Sequence, residues 1–174
     1  AGLFSFEFSY SGEKVIANSG YFQDHKHQLN IISKSTATHS TLVINNTSMV
    51  QFGRDKHGHS LVYKNFKILE KEIKLEKNFW SLKATHDAYS KSNGVIHERS
   101  IKYFCDDIKL EGCDKLIKMN KFKPSNFELR FHFLPEIKLT KLLSKETILI
   151  ETNNAGWKFI CKNYNIDIET GLYF

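Results

Sequence analysis

Apolar and polar residues alternate along much of this chain. From Phe4 to Tyr10 the alternation is strict, with Phe4, Phe6, Phe8 and Tyr10 on one side and Ser5, Glu7 and Ser9 on the other. A period of two is that of a half-buried strand. Ser11-Gly12-Glu13 then reads as a turn and Lys14–Ala17 as a second strand, so the chain is expected to open on a hairpin, which Asn18-Ser19-Gly20 ends. Phe127, Leu129, Phe131 and Phe133 against Glu128, Arg130 and His132 predict another strand over Phe127–Leu134. The same reading places strands at Thr41–Asn45, Leu61–Ile68, Ile73–Glu76, Trp80–His86, Val95–Phe104, Ile108–Met119, Thr147–Glu151, Trp157–Cys161 and Ile166–Glu169. Turns are expected at Ser92-Asn93-Gly94, Glu111-Gly112 and Asn153-Asn154-Ala155-Gly156, with Pro124 and Pro135 between strands or at their ends. No segment keeps a 3.6-residue stripe over three turns, and Leu139–Leu143 allows one helical turn at most.

Many short strands with no interleaved helices predict an all-β fold, an antiparallel two-layer β-sandwich of roughly ten to twelve strands. The fourteen phenylalanines would fill its interlayer. No internal repeat points to a propeller or solenoid. The length of 174 residues suits a single domain, taken as 1–174.

Composition refines this picture. Twenty-five basic against nineteen acidic residues give a net charge of +6, which favours acidic partners. The excess is scattered lysine, and no basic and aromatic run forms a nucleic-acid groove, so nucleic acid is not an expected partner. No stretch of about 18 apolar residues exists to span a membrane. Cys105, Cys113 and Cys161 form no CxxC pair; three buried free thiols are expected, with one disulfide and one free thiol as the alternative, which leaves the redox compartment open. The chain begins Ala1-Gly2-Leu3 without methionine or a signal pattern, so it is expected to be part of a longer protein.

Eight histidines supply most of the candidate chemistry. His25-Lys26-His27 and His57-Gly58-His59 are H-x-H pairs, whose rings share one face of an extended chain and could meet one metal. Both lie in polar stretches without a third ligand nearby and read as solvated surface. His39 sits among Thr36, Thr38, Ser40 and Thr41 at the start of a strand, where hydroxyls fix an imidazole tautomer. It is either a ligand-facing group or a structural histidine bonded to the backbone. His86-Asp87 and His97-Glu98-Arg99 flank the Ser92-Asn93-Gly94 turn, and a hairpin there brings the two histidines near its end as a turn-stabilising polar cluster. A neighbouring carboxylate would raise a histidine pKa. His132, on the polar face opposite Phe131, is read as surface or sheet-facing. The chain shows no Ser-His-Asp order, phosphate loop or HExxH. No residue is assigned a catalytic role.

Six segments in order resemble the heparinase II/III-like family. Leu3–Phe8 followed by Val15–Gly20 is similar to its L-S-F-E-L and V-D-S-G, and Lys34–Thr41 to its R-S-T-A-A-H-N-T. Ala84–Tyr89 and Gly94–Arg99 resemble A-S-H-D-G-Y and G-V-V-H-R-R, and Leu129–Pro135 resembles R-F-H-L-H-P. The resemblance implies the C-terminal β-sandwich of a bacterial polysaccharide lyase, preceded by an α/α toroid, with the active site in the cleft between them. It implies carbon–oxygen lyase chemistry for the full-length protein: β-elimination on uronic-acid glycans of heparin, heparan or alginate type, probed by an acidic polysaccharide as partner. A group neutralises the C5 carboxylate, a Tyr or His base takes the C5 proton and an acid protonates the leaving oxygen. His39 matches the family's third metal ligand and Asn18 stands where its metal-binding aspartate is found. Lys34 replaces a substrate-contacting arginine and loses the bidentate fork. The resemblance thus makes Lys34 and His39 substrate-binding candidates, and His39 and Asn18 the candidates for a zinc site. An amide is a poorer zinc ligand than a carboxylate. The family's H-x-H-A-D segment would lie ahead of Ala1, and the domain alone is expected to be inactive because the toroid's catalytic groups are absent. By analogy the protein is periplasmic or secreted, with the cytoplasm left open. The alternative is a non-catalytic carbohydrate-binding or purely structural sandwich, suggested by the basic charge and by Tyr21, Trp80 and Trp157 as exposed aromatics.

Overall fold

The computed structural model describes residues 2–119 and 126–174. The expected hairpin forms between β1 (Phe8–Tyr10) and β2 (Glu13–Ile16). Its turn takes Ser11 and Gly12 through φ of 48° and 80°. The strand does not begin at Phe4, whose φ is 56° in a tight turn closed by Ser5 N–H donating to the Gly2 carbonyl. Next come α1 (Gln28–Ser33), a 3-10 turn (Thr36–Thr38) and β3 (Leu42–Ile44). The hairpin of β4 (Gln51–Arg54) and β5 (Ser60–Tyr63) follows.

The largest sheet is the meander β6 (Ile68–Leu75), β7 (Phe79–His86), β8 (Val95–Phe104) and β9 (Lys109–Lys118), antiparallel throughout, with α2 (Ser90–Asn93) between β7 and β8. β10 (Phe127–Leu129) pairs with β3, and β11 (Lys138–Lys141), β12 (Thr147–Glu151) and β13 (Gly156–Ile160) form a three-stranded sheet. The fold is the expected all-β sandwich, with thirteen strands among the described residues.

Several boundaries differ from the sequence reading. Leu61–Ile68 is two elements, since β5 stops at Tyr63 and β6 takes up Ile68 and the whole of Ile73–Leu75. Glu111-Gly112 lies inside β9, and the chain instead turns before it, where Ile108 adopts φ 49°. Leu139 belongs to β11 rather than to a helical turn, because its side chain and those of Ile148 and Ile150 join one apolar cluster. Ile166–Glu169 forms no strand. Ser92-Asn93 closes α2, with Gly94 as its left-handed cap. Pro124 lies outside the described residues. The cysteines are free, as expected, but Cys105 and Cys113 are exposed and Cys161 is half-buried, a correction to the buried reading.

Two apolar clusters hold the sandwich. Leu42, Ile44, Met49, Tyr89 and Val95 pack where β3 meets the β7–β8 connection, and the Tyr89 hydroxyl donates to the Leu42 carbonyl at 3.0 Å. Val15, Ile148 and Ile150 pack with Phe8, Tyr10, Phe133 and Trp157 between the first hairpin and the C-terminal sheet. No helix among the described residues is long and apolar enough to cross a membrane.

Candidate functional site

The segment from Ser35 to Thr41 is short of extended backbone because its hydroxyls serve the chain itself. Thr38 Oγ1 donates to the carbonyls of Ser33 and Ser35 at 3.0 and 2.9 Å, and buried Thr36 Oγ1 accepts from Met49 N–H at 2.8 Å. This rigid turn delivers His39 to the start of β3.

His39 Nδ1 lies 2.7 Å from the Ser35 carbonyl. A carbonyl only accepts, so Nδ1 carries the proton and Nε2 keeps its lone pair. No hydrogen bond reaches Nε2 among the described residues. Gly2 packs directly on the ring, where a Cβ would collide with His39 Cβ and Cγ. Burial holds the imidazole neutral, its pKa lowered to about 4. The ring accepts hydrogen bonds or ligates at Nε2; it is too weak a base to take a carbon-bound proton by itself.

Asn18 is beside it. Its Oδ1 accepts from Ser40 N–H at 2.9 Å and its Nδ2 donates to Glu7 at 3.3 Å. Asn18 and His39 are therefore brought together around Ser40. Lys34 caps α1 and donates from Nζ to Ser60 Oγ on β5 at 2.8 Å, with its ammonium 5.7 Å from the Tyr21 ring centroid. The two substrate-binding candidates thus have different anchors.

A zinc ion can be weighed against these donors. The Asn18 oxygen already accepts from the backbone, and no group of three or more His, Cys, Asp and Glu among the described residues is placed to hold a metal. The described residues do not by themselves fit a zinc site.

His132, read from the sequence as surface or sheet-facing, is a half-buried member of this site. Its Nε2 donates to the Ala37 carbonyl and its Nδ1 accepts from Ser19 Oγ, both at 2.9 Å. Its backbone N–H donates to Ser40 Oγ, which in turn donates to the Ala17 carbonyl at 2.6 Å. Burial lowers its pKa. His132 locks the Asn18 and His39 segments together. Only its place in the Arg130-Phe131-His132 motif hinted at it.

The hairpin cluster is larger than expected. His86 and His97 pair directly across β7 and β8, and both rings are fully buried. Ala88 N–H donates to His86 Nδ1 at 3.2 Å, which leaves the His86 proton on Nε2. From there the bonds run one way: His86 Nε2–H to His97 Nδ1 at 3.0 Å, then His97 Nε2–H to Asp114 at 2.6 Å. Arg99 Nη1 donates to the carbonyls of Phe4 and Ser40, both at 2.9 Å, so this core clamps the first turn to the His39 segment. The carboxylate beside His86 in sequence does not raise its pKa: Asp87 accepts from Lys67 N–H instead. Burial, then the neighbouring His97 and Arg99, push His86 down to about 3.

The first H-x-H pair, with Lys26, and the second, with Asp55, meet where the 21–27 segment crosses the β4–β5 hairpin, through Ser60 N–H donating to the His25 carbonyl at 2.9 Å. Of the expected exposed aromatics, Tyr21 and Trp80 are exposed. Trp157 is instead half-buried, edge-on to Phe8 and Tyr10.

These features define an antiparallel β domain with a small polar site built on a neutral histidine. The family model described as "Heparinase II/III-like, C-terminal" matches residues 1–174, and the chain belongs to that family. No curated protein and no solved structure matches it.

Proposed function

We propose that this chain is the C-terminal domain of a lyase that cleaves uronic-acid polysaccharides by β-elimination, and that it lines one wall of the cleft rather than performing the chemistry alone. The observation that carries this is His39: its Nδ1 is spent on Ser35, and its Nε2 has no hydrogen-bond partner among the described residues. A neutral imidazole held this way accepts a hydrogen bond from a sugar hydroxyl and so orients the ring that reacts. Lys34, on the same stretch of chain, supplies a cation toward a carboxylate. His39 is too weak a base for the C5 proton, so the base and the acid come from an N-terminal domain of the same protein. Zinc enters no step here, since its ligands are not assembled among the described residues.

The test is the appearance of unsaturated uronide absorbance. The full-length protein is expected to generate it from heparin-, heparan- or alginate-type glycans, and residues 1–174 alone are not. H39A in the full-length protein is expected to lower turnover at least tenfold. Turnover by the isolated chain, or full activity of H39A, overturns the reading.

A further inference from the structure

β6 lies at the edge of the four-stranded sheet. It pairs with β7 on one side, and no strand among the described residues pairs with the other. All eight of its residues are exposed. At the β6–β7 turn, Glu76 N–H donates to the Phe79 carbonyl at 2.9 Å, which makes that pair a hydrogen-bonded one. Bonded and non-bonded pairs alternate along an antiparallel ladder. Lys74 and Glu72 therefore bond toward β7, and the N–H and C=O groups of Lys71, Ile73 and Leu75 point to the open side. A row of free donors and acceptors on a long strand is a template for another strand.

The side chains sort by face. Lys71, Ile73 and Leu75 share the face of Ala84, Leu82 and Trp80; Glu70, Glu72 and Lys74 share that of Thr85, Lys83 and Ser81. Ile73 is 54% exposed and Leu75 79%, apolar surface that their own sheet leaves uncovered. The charges complement a second copy of the same strand. In an antiparallel pair, directly opposed residues share a face. With a two-fold axis at Glu72, Glu70 of each copy stands opposite Lys74 of the other, and Lys71 opposite Ile73. Each Lys71–Ile73 pair exchanges two backbone bonds, because both residues present theirs to the open side. The Lys71 stem covers Ile73 while its ammonium stays in water. Glu72 meets its own copy on the axis, where Lys74 of its own chain already holds it at 2.9 Å. An axis at Lys71 would set Glu70 against Glu72. An axis at Ile73 would match Glu72 with Lys74 but set Glu70 against Glu76, and like charges directly opposed are destabilising.

We propose that β6 is a self-association edge, through which two copies of this protein pair antiparallel about Glu72 and join their four-stranded sheets into one. The pairing satisfies the open backbone groups, covers Ile73 and aligns opposite charges. It places no demand on the site around His39 and stands apart from the lyase reading.

The experiment combines sedimentation velocity with residue-resolved amide exchange on the full-length protein. One strand pair makes a small interface, below roughly 1,200 Å², so a shift from monomer to dimer is expected between about 1 and 100 µM protein. Over that range the amides of Lys71 and Ile73 are expected to slow by about tenfold or more, while those of Glu72 and Lys74, already bonded to β7, stay unchanged. K74E makes this face of the strand wholly acidic and E70K/E72K makes it basic; each is expected to weaken the dimer about tenfold, and an equimolar mixture of the two to restore it as a heterodimer. K158E, on the C-terminal sheet, is expected to dimerise like the parent. A parent that stays monomeric, a dimer that K74E leaves intact, or two folded variants whose mixture does not associate overturns the proposal. So does protection of Lys71 and Ile73 that is independent of concentration, which would assign the edge to another segment of the same protein. The exchange readout in the parent decides the matter even where a variant does not fold.

Discussion

Arg99 and Asp114 face each other across the β8–β9 ladder in a two-pronged ion pair, Nε to Oδ1 at 2.8 Å and Nη2 to Oδ2 at 3.0 Å. Burial by itself raises the Asp114 carboxyl; hydrogen bonds from His97 and Arg99 and the Arg99 charge outweigh it, and the pKa ends below its usual value. Removing the carboxylate strands a buried guanidinium. D114A is expected to cost about 3–5 kcal/mol, read from the urea midpoint of the purified protein. A loss below about 1 kcal/mol would show that water reaches Arg99.

Acid should unfold this domain earlier than its carboxylates alone would. His86 is fully buried and neutral when folded, with a pKa near 3, whereas an unfolded histidine titrates near 6.5. The unfolded chain therefore binds the extra proton between these values. The stability from keeping His86 neutral is complete above about pH 6.5 and is lost as pH falls toward 3, at up to about 1.4 kcal/mol per pH unit. His39 and His132 are shifted in the same direction. Urea midpoints at pH 7.5, 6.0 and 4.5 should fall steadily, and less steeply in H86Q. Equal midpoints at pH 7.5 and 4.5 would contradict the assignment.

Asn18 is suited to its neighbour. Its amide donates to Glu7, whose other oxygen accepts from Lys14 at 2.7 Å. N18D keeps an acceptor for Ser40 N–H but replaces the donated bond with a like charge. The variant is expected to lose about 1 kcal/mol at pH 7, partly recovered in high salt or in N18D/E7Q. A melting temperature at or above that of the parent would show that Glu7 does not set the preference for an amide.

Phe174 is tied to the site. Phe174 N–H donates to the Ser19 carbonyl at 2.7 Å, and Gly20, at φ 81°, leaves room for the Phe174 carbonyl where a Cβ would collide. G20A is expected to cost about 1–2 kcal/mol and to speed amide exchange at Phe174 by more than tenfold. Unchanged exchange would show that Phe174 is held elsewhere.

Sequence patterning revealed strands well and their partners poorly. The alternation in Phe127–Leu134 is real, but the ladder with β3 ends at Leu129, and His132 bridges Ala17 instead. Alternation sets which side chains point inward; it is silent on where a strand changes partners. α1 was missed because one and a half turns show no stripe, and its N-cap is His27, an uncommon capping residue. β4 was hidden by Gly53, over which the exposed Tyr63 ring packs. In the site, Asn18 and His39 were legible through their motifs, and the His86–His97 pair through the hairpin. Asp114 and the two-sided role of His132 were not, because contacts separated by 17 to 113 residues leave no local trace.

The one-way run of bonds from Ala88 through His86 and His97 to Asp114 gives each ring a proton on Nε2 that solvent does not reach while β7 and β8 stay zipped. Those two protons act as a built-in clock: in a ¹⁵N-labelled sample they should appear as slowly exchanging imidazole resonances, and their lifetime should report how often the central hairpin opens.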